Sequence, residues 1–168
     1  MDYVIREMDI VSAREIILWK YEKPYSLYNL NGSDEDIKEL LHGSYYSAYN
    51  KSKELAGYFC FGESAQVPIG KTLNSYDDKS FIDIGLGLQP ELCGKGYGVD
   101  FTTCGLRCAK NMFSARKFRL TVAKFNQRAI KVYEKIGFRR SNISFSKDSE
   151  TSKIEFIIMT LEDWADFG

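Results

Sequence analysis

Apolar and polar residues alternate with a period of two from Phe81 to Leu88. This places Ile82, Ile84, Leu86 and Leu88 on one face of a strand and Phe81, Asp83, Gly85 and Gly87 on the other. Pro90 ends the run. Gly94, Gly96 and Gly98 then fall at every second residue, just before a helical pattern from about Tyr97 to Phe113 that offers Phe101, Leu106, Ala109 and Phe113 to a core. Two glycines on one strand face leave the backbone bare, as happens where a ligand or another chain approaches closely.

The remaining elements follow from the same patterns. Tyr3 to Arg6 reads as a first strand. Asp9 is placed to cap a helix from Ile10 to about Tyr21, in which Ile10, Ala13, Ile16, Ile17 and Tyr21 keep helical spacing. Ser33 caps a short helix from Asp34 to Leu41 that has acids in its first turn. SYYSAYN from Ser44 and ELAGYFCFG from Glu54 form a hairpin. KFRLTVAKF from Lys117 is a strand, and Asn126 caps a helix that Gly137 ends. Two strands close the chain, near Arg139 to Phe145 and from Lys153 to Leu161. Glu63 to Lys79 shows little periodicity and reads as a functional or mobile connection. The order β–α–α–β–β–β–α–β–α–β–β implies an α/β (α+β) fold, a mixed sheet flanked by helices. No internal repeat or domain linker interrupts it, so residues 1–168 read as a single domain.

Composition narrows the function classes. Lys plus Arg and Asp plus Glu are each 23, so no global field favours nucleic acid or an anionic membrane. No stretch approaches the roughly 20 apolar residues of a membrane span, and MDYVIREMDI, with early acids, does not read as a signal peptide. Cys60, Cys93, Cys104 and Cys108 form no CxxC pair, and His42 is the one histidine, which argues against a metal site. Reduced thiols and a cytoplasmic location are the expectation.

A glycine-rich loop before a helix can aim backbone N–H groups at a phosphate. Two familiar loops fail on spacing. A Walker loop needs glycine where Gln89 stands and Ser or Thr where Gly96 stands, and the dinucleotide fingerprint GxGxxG is replaced by GxGxG.

PELCGKGYG, followed by a helix, a strand, an Asn and YEKIGFRR, resembles the GNAT superfamily of acyl-CoA-dependent N-acetyltransferases. The resemblance is specific over about Ile82 to Arg140. It implies the GNAT fold, a mostly antiparallel sheet of about six to seven strands with about four helices. It also implies acetyl-CoA as co-substrate and a primary amine as acceptor: a protein or peptide N-terminus, a lysine or a small amine. The family's pyrophosphate loop R/Q-x-x-G-x-G/A maps onto Cys93, Gly94, Lys95, Gly96, Tyr97 and Gly98. Pantetheine would lie between splayed fourth and fifth strands, along Leu86, Leu88 and Gln89, with Asn126 and Ala129 beside it. Tyr133 matches the residue that in many members protonates the leaving thiolate, a role a phenol of pKa ~10 can fill.

Two positions depart from the family. Cys93 stands where Arg or Gln is preferred, and near a helix N-terminus such a thiol can be reactive. Thr121 stands where some relatives carry a basic Glu, leaving Asp83 or a water chain as the base. The tyrosines at 21, 25, 28, 45, 46 and 49 could line an aromatic acceptor pocket or simply pack. A non-catalytic acyl-CoA sensor or interaction module of the same fold is the alternative, and a homodimer is left open.

Overall fold

The computed structural model describes residues 2–166. Among them seven strands form one sheet in the order β1-β2-β3-β4-β5-β7-β6. These are β1 (Val4–Glu7), β2 (Tyr45–Tyr49), β3 (Leu55–Phe61), β4 (Ile82–Leu88), β5 (Phe118–Ala123), β6 (Arg139–Asp148) and β7 (Lys153–Leu161). Five helices accompany them: α1 (Ile10–Ile16), α2 (Asp34–Leu40), α3 (Pro68–Thr72), α4 (Gly98–Phe113) and α5 (Gln127–Ile136).

Neighbouring strands run antiparallel except β4 and β5, which run parallel. Those two pair only at Ile82 with Phe118 and at Asp83 with Arg119. Beyond that point β4 stays on β3 as far as Leu88, while β5 stays on β7 as far as Ala123. The sheet therefore opens into a fork whose prongs are the C-terminal halves of β4 and β5.

One face of the sheet is covered by α4 and α5. Phe59, Ile84, Phe118 and Leu120 from the strands pack with Phe101, Leu106 and Ile130 from the helices, and the Phe59 and Phe101 rings stack 4.4 Å apart. Successive strand residues face opposite sides, so Tyr58 turns to the other face, where Ala13, Ile16, Trp19, Leu40 and Leu55 form a second cluster. A third cluster joins Tyr76 to Phe145, Phe156 and Ile158. Burying side chains of this size contributes about 1.5–3 kcal/mol each.

The local signals account for most element ends. Asp9 and Ser33 cap α1 and α2 through Ser12 N–H and Asp36 N–H, and Gly137 closes α5 with φ 116°. Three expectations need correction. The first helix stops at Ile16 rather than Tyr21, because the chain turns to bury Trp19 against Tyr58, ring centroids 6.2 Å apart. Phe113 is 44% exposed and is not a core residue. Glu63 to Lys79 is neither irregular throughout nor loosely held. It contains a 3-10 turn at Gly62–Ala65 and α3, which begins with Pro68.

A buried ion pair fastens this connection to the fork. Arg119 Nε and Nη2 each donate to one Asp83 carboxylate oxygen at 2.7 Å, and each residue is 3% exposed. Gln66 Nε2 also donates to Asp83, at 2.9 Å, and Arg119 donates further to the carbonyls of Asp78 and Tyr76. Removing one partner strands a buried charge. Arg119→Met is expected to cost about 3–5 kcal/mol, and Asp83→Leu added to it should recover most of the loss. Urea unfolding of the single and double variants checks this.

Candidate functional site

The fork is where the sequence-derived site residues converge. In an antiparallel ladder alternate residues turn both backbone groups to the same neighbour. Gln89 N–H donates to Ala56 O on β3, so Leu86 and Leu88 turn theirs toward the gap facing β5. Leu86, Leu88 and Gln89 are all half-buried along that edge.

After Leu88 the chain makes a 3-10 turn at Pro90–Leu92 and enters the glycine loop. Gly94 (φ +74°) and Gly96 (φ +87°) adopt left-handed backbone that side chains with a Cβ disfavour, and a Cβ on Gly96 would meet nothing. The glycines are there for the turn, not to avoid a neighbour. Gly94, Lys95 and Gly96 are exposed, and Tyr97 and Gly98 are half-buried. Helix α4 starts at Gly98 with no side-chain cap. Its first-turn N–H groups have no acceptor within the helix and follow directly on the loop.

Gly85 and Gly87 serve a different purpose from the one expected. A Cβ on Gly87 would strike the Tyr58 ring, and one on Gly85 would lie 2.6 Å from Cys60 Sγ. The bare face of β4 is already filled by β3 side chains.

Helix α5, which follows β5, supplies the side chains on that side of the fork. Asn126 Oδ1 accepts from Ala129 N–H at 3.1 Å, and its Nδ2 donates to Tyr28 Oη at 3.2 Å. Tyr133 lies half-buried on the same helix, edge-on to Phe138 with centroids 6.0 Å apart. Burial pushes its hydroxyl well above the usual phenol range, and neighbouring Tyr28 adds to the shift.

Sequence reasoning missed how two tyrosines of the segment between α1 and α2 cross the fork. Tyr21 Oη donates to Leu88 O at 2.8 Å on one prong, and Tyr28 meets Asn126 on the other. Their rings meet edge-on at 6.5 Å. Both belong to the tyrosine cluster noted in the sequence, but nothing in their spacing marked these two. Ile16, Trp19, Tyr21, Tyr28, Leu30 and Tyr58 close on one another so tightly that no room remains for a water molecule. Tyr25, the other member near the fork, lies under Arg128.

Three chemical expectations change. Asp83, expected as the general base, has both oxygens committed to Arg119 and lies at the base of the fork. Thr121 does not leave a gap where a base is missing, because its hydroxyl is 2.7 Å from Tyr76 Oη. The Cys93 thiol points back at the carbonyls of Leu88 and Gln89, and burial pushes it up rather than down, so it is not activated. Among the described residues no three His, Cys, Asp or Glu side chains gather where they could hold a metal ion. Nor is any helix among them long and apolar enough to cross a membrane.

A family model described as an acetyltransferase (GNAT) domain matches residues 5–139. The chain belongs to the GNAT acetyltransferase family. It is accordingly an acyltransferase enzyme. Solved structures agree on the fold. A spermidine N-acetyltransferase chimera from Vibrio cholerae superposes with TM-score 0.72 at 17% identity, covering 96% of this chain and 95% of the other. An aminoglycoside acetyltransferase in complex with coenzyme A gives 0.68 at 18%, with 96% and 95% covered. A GNAT acetyltransferase from Bacillus anthracis gives 0.64 at 15%, with 96% and 95% covered. A search of curated proteins finds no significant match to the chain.

Cys60, buried against Gly85, yields a pH test. Burial raises its thiol from 9.0 to about 12. The unfolded chain therefore ionises first. Stability from this group is complete below about pH 9 and is lost as pH climbs toward about 12. Urea midpoints at about pH 8 and about pH 10 should differ less in Cys60→Ala than in the parent protein.

Proposed function

We propose that this GNAT enzyme transfers an acetyl group from acetyl-CoA to a primary amine, by direct attack within a ternary complex in the fork. The observation that carries the reading is the parting of β4 and β5 after a single pair of registers, with an uncapped helix start on one side and Tyr133 on the other. The residues present fit acetyl-CoA: a strand edge at Leu86 and Leu88 whose backbone groups turn away from β3, with the Leu88 carbonyl held by Tyr21, then exposed left-handed glycines. When bound, acetyl-CoA supplies the activated acetyl thioester.

The chain's own residues divide the work. Backbone at Leu86, Leu88 and Gln89 holds the pantetheine arm, with Asn126 and Ala129 across from it. The backbone amides of Cys93, Gly94, Lys95, Gly96, Tyr97 and Gly98 hold the pyrophosphate, since helix N-terminal N–H groups favour anions. Amides aimed into the fork also polarise the carbonyl under attack, where such donors act without having to reorient. Tyr133 holds the proton delivered to the departing sulfur, and its raised pKa keeps that proton in place throughout the neutral range. The incoming ammonium gives up its proton to water, because Asp83 is committed to Arg119.

Tyr21 must release the Leu88 carbonyl and Tyr28 the Asn126 side-chain amide before the fork can fill. The acceptor then approaches along the aromatic seam on the Tyr58 face. We infer one domain over residues 1–168 acting on a small-molecule or protein amine in the cytoplasm.

Acetyl-CoA at ~100 times its Kd should stabilise the protein by roughly 2.7 kcal/mol, read as a thermal shift. No shift at saturation would contradict the reading. Tyr133→Phe should lower kcat by about 10²–10⁴-fold with little change in Tm, measured by thiol release with an amine panel.

A further inference from the structure

Arg128, the second residue of α5, has no role in the family-derived site, and its surroundings are unusual for a surface arginine. Its guanidinium lies 4.2 Å above the centre of the Tyr25 ring, and Tyr25 in turn rests against Phe125, 6.1 Å away. A β-carbon built on Gly94 would sit 3.5 Å from Arg128 Nη1. The guanidinium is thus held at the rim of the glycine loop, reached from the opposite prong of the fork.

Its charge is unspent. Among the described residues no carboxylate lies within ion-pair distance of Arg128. It also stands in the first turn of α5, where the helix dipole disfavours a cation. A position that opposes the dipole, lacks a counter-ion and is stacked on an aromatic ring is not explained by folding. Its field reaches the loop, since it draws the Cys93 thiol downward against the upward push of burial.

We propose that Arg128 is the cation that grips the pyrophosphate of coenzyme A, taking over from α5 the contact that Cys93 cannot make from the loop. This rests on reading the glycine loop as the pyrophosphate cradle. A guanidinium presents paired N–H donors that match two phosphate oxygens, which a thiol cannot do. Stacking on Tyr25 leaves the donor edge of the guanidinium plane free and removes part of the ordering cost of a long side chain. Tyr25 is then a positioning residue: it holds the arginine over the loop and links the segment between α1 and α2 to cofactor binding.

Calorimetric titration with coenzyme A, dephospho-coenzyme A and pantetheine tests the assignment on the parent protein and on Arg128→Gln. The variant should keep its Tm, because Arg128 is exposed. It should lose about tenfold or more in affinity for coenzyme A and for dephospho-coenzyme A alike, with pantetheine binding unchanged. Tyr25→Leu should show a smaller loss with the same selectivity. A loss confined to coenzyme A would overturn the proposal by placing Arg128 on the 3′-phosphate. An equal loss for pantetheine would overturn it by showing that Arg128 acts through the fold. Undiminished binding in Arg128→Gln, with the parent protein binding normally, would overturn it while leaving the cofactor reading intact. Failure of the parent protein to bind coenzyme A would overturn both.

Discussion

A buried guanidinium–carboxylate pair stands at the point where the sheet divides. Arg119 and Asp83 are the last residues at which β4 and β5 are in register, and beyond them the strands part. Taking two charges out of water is expensive, and the pair is tolerable only because its hydrogen-bonding capacity is used almost completely. Two donors meet two oxygens, Gln66 serves the carboxylate, and two backbone carbonyls take two of the three remaining guanidinium N–H groups. Those carbonyls belong to Tyr76 and Asp78, so the pair also clamps the long connection between β3 and β4. The opening of the fork, the seating of Tyr76 on Thr121 and the order within residues 62–80 all hang on this one site.

Much of this architecture was legible in the sequence, for reasons that are local. The strand at 82–88, the glycine loop and the capped helix at 127–136 each announce themselves within a few residues, through alternation, turn chemistry and an Asn cap. What sequence could not show is which side chains meet across space. Asp83 looks like an available carboxylate on a strand face until Arg119, 36 residues later, is brought against it. Gly85 and Gly87 look like room for a ligand until Cys60 and Tyr58 are seen to need that room. Helix α3 is five residues long and built around Gly70, which lies under the rings of Phe145 and Tyr76. So short a helix leaves no periodic trace, and its reason for forming lies in residues far along the chain.

The site itself is assembled from three independent pieces. The β4–α4 unit contributes backbone, α5 contributes side chains, and the segment between α1 and α2 contributes tyrosines. The first two are rigid by construction, with Phe101 and Ile130 anchored in the same core. The third reaches the fork through the hydroxyls of Tyr21 and Tyr28.

That third attachment has an evolutionary consequence. Residues 18–33 contain only one short 3-10 turn, and at the fork they are tied by two side-chain hydroxyls, Tyr21 to the main-chain carbonyl of Leu88 and Tyr28 to the side-chain amide of the helix-capping Asn126. Exchanging, lengthening or shortening this stretch would disturb none of the strand pairings. The stretch can therefore change in length and composition without re-registering the sheet, as long as Tyr21, Tyr25 and Tyr28 keep their contacts with Leu88, Arg128 and Asn126.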